Sequence, residues 1–178
     1  MKQAYLSVVL IAREEPSPQE LAGLDQVLAK VARMHEIVVV LPYGPRTRAA
    51  SEGSGILGPV TKVLVQERAG RDQYVAAGIT CAVGDFVLEW HGAIGELTTA
   101  FLTNLVELTD EGFELVEVQS DEPAVAETAF YGLANWLRSE PERIRRAVGR
   151  LFSRHALEFV INSLRFESRI AILVAEVP

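Results

Sequence analysis

The sequence has 178 residues, 49% hydrophobic and 23% charged, with a formal net charge of −7. That length allows one domain with a sizeable core, and the composition excludes a chain disordered throughout. The acidic balance speaks against nucleic acid or an anionic lipid surface as a partner, and the one cysteine, Cys81, cannot close an internal disulfide.

Read in order, MKQAYLSVVLIAREEP has a short apolar run and no small-residue cleavage site, so no signal peptide is expected. Tyr5 to Ala12 is β-branched and apolar, as a strand buried on both faces would be. Ser17, Pro18 and Glu20 form a capping box with proline at the first helical position. Leu21, Leu24, Leu28 and Val31 then fall on one face, predicting a helix over Pro18 to Met34. His35 and Glu36 turn the chain into a second strand, Ile37 to Leu41. This strand–helix–strand unit implies parallel pairing.

Pro42 to Gly58 reads as a loop, Val60 to Gln66 as a third strand, and Asp72 to Val83 as a helix stopped at Gly84. Phe86 to Trp90 is the fourth strand. Leu97 to Leu108 has helical spacing ended by Gly112, and Phe113 to Val118 alternates as a fifth strand. Helices are expected over Ala124 to Leu137, opened by Glu122-Pro123, from Pro141 to about Leu151, and over Arg154 to Ser163 capped by Ser153. Arg169 to Val177 is a final strand. The alternation predicts an α/β, three-layer sandwich with a mostly parallel sheet. No repeat or linker divides it, so a single domain over residues 1–178 is expected. No apolar run approaches the roughly 20 residues of a membrane span, and a cytoplasmic protein is expected.

Several stretches resemble glycosyltransferase family 2. LSVVLIAREEP is similar to that family's opening SVVIPARNEE, and EIVVV to the strand that there runs into VVDDGS. Gly70, Gly78, Ala82, Gly84 and Asp85 resemble its GxxxAxxxGxxxAxGD helix and turn. FYGLANWL and RLFSRHALEFV look like the branch acting on polyprenyl phosphates, and VAEVP like the strand preceding that branch's acceptor segment. The resemblance covers nearly the whole chain and implies a nucleotide-diphospho-sugar transferase fold of the GT-A type.

It also implies a site. Such enzymes hold a divalent cation on the donor diphosphate with a D-x-D carboxylate pair at a strand end, which steadies the leaving phosphate. Here those positions fall on His91 and Ala93, the nucleoside-reading aspartates on Leu41 and Pro42, and the first motif's asparagine on Glu14. Arg13, Glu15, Gly70, Asp85 and Arg154 are retained and are the implied substrate contacts. No organic cofactor is called for, and a divalent cation enters only if the altered site still binds one.

Each residue also has a plainer use. Gly84-Asp85 reads as a turn ending a helix. His91 is a metal ligand, a general base or simply a polar strand end. Strand alternation puts Glu89 on its face, so the two are the catalytic candidates. Arg13 meets a phosphate or pairs with Glu15 or Asp85. Arg143, Arg145, Arg146, Arg150 and Arg154 line either an anion site or the wet face of a helix. Phe130, Tyr131 and Trp136 suit packing or an interface, and Cys81 a core position.

Three functions stay open. The first is a family 2-like binding or partner subunit without ordinary transfer activity, alone as a homo-oligomer or beside an active glycosyltransferase. The second is a transferase that binds its nucleotide sugar without D-x-D, through arginines or His91. The third is an unrelated small-molecule or regulatory α/β module. A cleft closed by Leu41, Pro42 and Trp90 would speak against transfer.

Overall fold

Strand β1 (Tyr5–Ile11) begins a computed structural model that describes residues 5–43, 60–123, 145–157 and 170–174. Helix α1 (Pro18–Val31) follows, then β2 (Met34–Tyr43), β3 (Val60–Gln66), α2 (Arg71–Cys81) and β4 (Phe86–Trp90). A 3-10 turn, Ile94–Glu96, leads into α3 (Thr99–Asp110), β5 (Leu115–Pro123), β6 (Arg145–Ser153) and β7 (Ile170–Val174).

The strands form one seven-stranded sheet in the order β3-β2-β1-β4-β6-β5-β7. β6 runs antiparallel to both neighbours and the other four strand pairings are parallel, so the sheet is mostly parallel, as expected. Strand alternation divides the core between two faces. Leu6, Val8, Leu10, Ile37, Val39, Leu41, Leu88 and Trp90 meet α1 and α3 on one side. Val9, Val38, Val40 and Val87 meet Ile79 and Ala82 of the α2 segment on the other, giving three layers. Gly78 lets α2 lie directly on the sheet, since a Cβ there would collide with Val9 and Val40.

The start of α1 is set locally. Ser17 accepts from the Glu20 amide at 3.2 Å, and the Glu20 carboxylate accepts from the Ser17 amide at 2.8 Å and its hydroxyl at 2.7 Å. These bonds hold the Glu20 carboxyl below its ordinary 4.5. A lowered folded value means that the contribution is complete above the unfolded value and is lost as pH falls through the folded one. The melting-temperature gap between wild type and Ser17→Ala is therefore expected to narrow as pH drops below 4.5. Paired thermal melts from neutral to acid pH check this, and a gap that widens would contradict it.

The structure corrects several sequence expectations. α1 stops at Val31 and β2 already begins at Met34, so His35 and Glu36 belong to the strand. Both acquire buried partners there: His35 Nε2 lies 2.7 Å from Asp25, and Glu36 accepts from Ser7 Oγ at 2.5 Å. Glu122 and Pro123 end β5 rather than opening a helix, and residues 124–137, with Phe130, Tyr131 and Trp136, lie outside the described residues. The helix expected from Pro141 to Leu151 is, over its described part, strand β6. Its place between β4 and β5 supplies backbone partners on both sides, and Gly149 fits closely against the Trp90 ring, which a larger residue would not allow. Non-local pairing overrides a weak local pattern here. Consequently Arg145, Arg146 and Arg150 belong to a strand rather than to one helix face, and Arg143 lies outside the described residues. Cys81, at the end of α2, is exposed rather than in the core.

Candidate functional site

β1, β2, β3 and β4 are mutually parallel, so their C-terminal ends gather on one edge of the sheet. From β1 the chain passes through α1 to β2 on one side, while β4 lies on β1's other side. Open α/β sheets bind ligands at such a switch in strand order. A cleft of ≈ 710 Å³ lies there. Leu10 to Arg13 line it from the end of β1, Pro42 from β2, Glu67 and Ala69 from the turn after β3, and Tyr74 from α2. Trp90, His91, Gly92 and Ile94 line it from β4 and the following turn. The cleft is not closed by Leu41, which is buried in the α1-side core.

The end of β4 is tied up internally. Trp90 is 1% exposed, stacks at a tilt on Phe101 with centroids 5.5 Å apart, and donates its indole N–H to the Ala93 carbonyl at 3.1 Å. The His91 amide donates to the Val148 carbonyl at 2.8 Å, carrying the β4–β6 ladder one residue past β4. The His91 ring turns back along the strand, and its Nε2 contacts Glu89 Oε1. The two side chains are 10% and 3% exposed. The face-sharing expected from alternation thus becomes a direct contact. The other Glu89 oxygen, Oε2, is buried without a hydrogen-bond partner among the described residues.

Those groups do not fit a hard divalent cation. Such an ion takes several oxygen ligands, whereas this edge offers an imidazole already bonded to its neighbouring carboxylate, and an alanine whose carbonyl holds an indole. Among the described residues no three His, Cys, Asp or Glu side chains converge as a metal site.

The remaining sequence candidates separate into two groups. Arg13 is exposed and lines the cleft. Glu15, just beyond, pairs with Lys62 of β3 at 2.5 Å. Gly70 is the N-cap of α2, with no side-chain cap, and follows the cleft residue Ala69. Asp85 and Arg154 lie instead where β4 begins, the other end of the strand from His91. Asp85 accepts from the Tyr5 amide at 2.9 Å. Arg154 donates to the carbonyls of Ala82 at 2.8 Å and Gly84 at 2.7 Å. These contacts fasten the α2–β4 turn to β1 and to the helical turn at 154–157, whose first amides Ser153 caps through Ala156 at 3.0 Å.

Around that turn sits a polar cluster that sequence reasoning missed. Ser7 Oγ accepts from the Gly84 amide at 2.7 Å and donates to Glu36, which also accepts from the Val83 amide at 2.6 Å. Burial, with the Glu36 carboxylate nearby, raises the Tyr5 phenol above its ordinary 10.0. Also missed were Tyr74 as a cleft residue and the row Glu89, Arg150, Glu117 across three strands. Arg150 stands opposite both acids in the register, and its Nε lies 3.6 Å from Glu117. Only the fact that acid and base sit in different apolar segments was available from sequence.

No family model matches the chain, and no curated protein matches it. Solved structures do. Glucosyl-3-phosphoglycerate synthase from Mycobacterium tuberculosis, in complex with Mg2+ and UDP, aligns at TM-score 0.59 and 20% identity over 98% of this chain and 70% of that one. The same enzyme with Mn2+, UDP and glucosyl-3-phosphoglycerate aligns at TM-score 0.55 and 21% identity, over 86% of this chain and 58% of that one. The 4-diphosphocytidyl-2C-methyl-D-erythritol synthase from Anaerococcus prevotii aligns at TM-score 0.53 and 12% identity over 98% of this chain and 90% of that one. The likeness establishes a shared GT-A-type fold. Among the described residues no helix is long and apolar enough to cross a membrane.

Proposed function

We propose that this chain binds a nucleotide sugar in the cleft as a binding or partner subunit in glycan or glycolipid synthesis, without ordinary cation-dependent sugar transfer. The carrying observation is the end of β4, where His91 is bonded to Glu89 and the Ala93 carbonyl to the Trp90 indole. A ≈ 710 Å³ cleft is large enough for a nucleotide-sized ligand, and its place at the strand switch suits one. The two glucosyl-3-phosphoglycerate synthase complexes similar in fold hold UDP with Mg2+ or Mn2+, and this chain has His91 and Ala93 at the positions where its resemblance would put the carboxylate pair for the cation. Membership of the polyprenyl-phosphate branch belongs to the same proposal, supported by FYGLANWL and RLFSRHALEFV. The subunit would act as a homo-oligomer or beside an active glycosyltransferase.

A second reading, sugar transfer without a cation, is favoured by the Glu89–His91 contact beside the cleft. One screen separates the two. Thermal shifts are measured with nucleotides and nucleotide sugars, with and without Mn2+. A single-site ligand at a hundredfold its dissociation constant stabilises by about 2.7 kcal/mol. The proposal expects such a shift with a nucleoside diphosphate or its sugar, little changed by Mn2+, and no sugar transfer or nucleoside diphosphate release. Turnover of a UDP- or GDP-sugar with Mg2+ or Mn2+ overturns it. Turnover in EDTA selects the second reading, and no shift with any nucleotide removes the cleft as a nucleotide site.

A further inference from the structure

Glu89 is the described group whose surroundings leave its chemistry least complete. It is buried on β4, in register with Val9 of β1 and Arg150 of β6. Arg150 directs its Nε to Glu117, and Glu89 Oε2 has no partner among the described residues. Burying a half-satisfied carboxylate is costly, and an apolar residue would suit the neighbouring Val9 and Val87 better. What Glu89 does engage is His91, whose ring is nine-tenths buried and lines the cleft. With Nε2 given to the carboxylate, Nδ1 is the ring nitrogen left for a ligand. A carboxylate in this position fixes ring orientation and balances the charge of the imidazolium form.

We propose that Glu89 and His91 form an oxyanion-binding dyad in the cleft, in which His91 donates from Nδ1 to a phosphate oxygen of a diphosphate-bearing ligand while Glu89, out of the ligand's reach, positions the ring. This rests on the reading of the cleft as a nucleotide site and names the group that meets the diphosphate without a cation. Arg13 lines the same cleft and supplies a second positive charge. Glu15 is drawn away by Lys62, and the Tyr74 hydroxyl donates to the Gln66 carbonyl. Among the described residues, the acids facing the site besides Glu89 are Glu67, which lines the cleft, and Glu96, packed beside Gly92. With the imidazolium balanced by Glu89, ligand charge meets Arg13 and an N–H donor against Glu67 and Glu96. Binding therefore strengthens as His91 takes up a proton.

The test is calorimetric titration of the whole chain with inorganic pyrophosphate and with UDP, in EDTA, at about pH 6 and about pH 8.5, either side of the ordinary histidine range near 6.5. Wild type, His91→Gln and Glu89→Gln are compared at each pH, so that titration of the probes themselves cancels. Expected for His91→Gln is roughly tenfold weaker binding of both probes at the lower pH, converging on wild type at the higher one. Glu89→Gln keeps the shape of the carboxylate but removes the charge that orients and balances the His91 ring, and is expected to weaken binding of both probes at the lower pH. Addition of pyrophosphate should also shift one histidine ring signal of the wild type, identified by its absence in His91→Gln. The shift is read on the wild type, and the variant serves only to assign the signal. Pyrophosphate and UDP binding equally well to His91→Gln at both pH values, or an unmoved His91 signal at saturation, sinks the dyad and leaves the cleft reading standing. Failure of the wild type to bind either probe sinks both.

Discussion

Trp90→Ala is expected to lower the free energy of unfolding by about 3–5 kcal/mol, the usual cost of removing a large buried aromatic. Trp90 ends β4 on the face covered by α1 and α3, is 1% exposed and meets Phe101. Gly149 of the antiparallel strand β6 and Gly92 of the following turn both press on its ring, so neither can move in to fill the space without shifting backbone. The change also releases the Ala93 carbonyl from its indole partner. Because the same ring lines the cleft, the turn carrying His91 to Glu96 would lose its anchor, and ligand binding should weaken along with stability. Trp90→Phe keeps much of the volume and loses the N–H bond, and is expected to cost about 1–2 kcal/mol. Urea titrations of the three proteins check this through their midpoints, with the slope little changed. A Trp90→Ala protein within about 0.5 kcal/mol of wild type, as for a surface change, would be incompatible with this packing.

The second large effect is expected at Gly84, through backbone rather than side-chain packing. A Cβ there would lie 2.6 Å from the Tyr5 carbonyl oxygen and 2.7 Å from the Ser7 amide nitrogen. Neither can rotate away, because both belong to the backbone of β1, an interior strand paired on both sides. Pushing the turn outward would stretch the Gly84 amide from Ser7 Oγ and the Val83 amide from Glu36, leaving a buried carboxylate short of donors. It would also displace the carbonyls that Arg154 grips. Gly84→Ala is therefore expected to cost on the order of 3 kcal/mol, combining overpacking with lost buried hydrogen bonds. Gly23 in α1 supplies the contrast. A Cβ there meets nothing within 4 Å, and the residue is exposed in a helix. Gly23→Ala is expected to stabilise by about 0.5–1 kcal/mol. Equal midpoints for Gly84→Ala and wild type would show that the turn can yield.

Both effects bear on the candidate site. Gly84 and Asp85 belong to the stretch that suggested a nucleotide contact, yet their hydrogen bonds go to β1 and to Arg154. Residues that a motif groups together can serve opposite ends of one strand. At about 3.3 Å per residue, the six steps from Asp85 to His91 span roughly 20 Å. The helix and turn that hold β4 in place lie at its start, and the cleft lies at its end.

Local signals in the sequence were enough for β1, α1, β3, α2, β4 and α3. Buried parallel strands are continuous apolar runs, and helices carry caps and a 3.6-residue stripe, so each can be read within a dozen residues. The Ser17 capping box and the shared face of Glu89 and His91 belong to this class, since both depend on neighbours two or three positions away. What only the tertiary structure decided are the pairings between distant segments. β6 became a strand because β4 and β5 left a slot between them, and that slot aligned Arg150 with Glu89 and Glu117. Glu36 became a buried acceptor because β1 brought Ser7 beside it, and Arg154 became a clamp because β6 ends next to Gly84. Register across a sheet is set by hydrogen bonds and packing between segments tens of residues apart, and no short window of sequence carries that information.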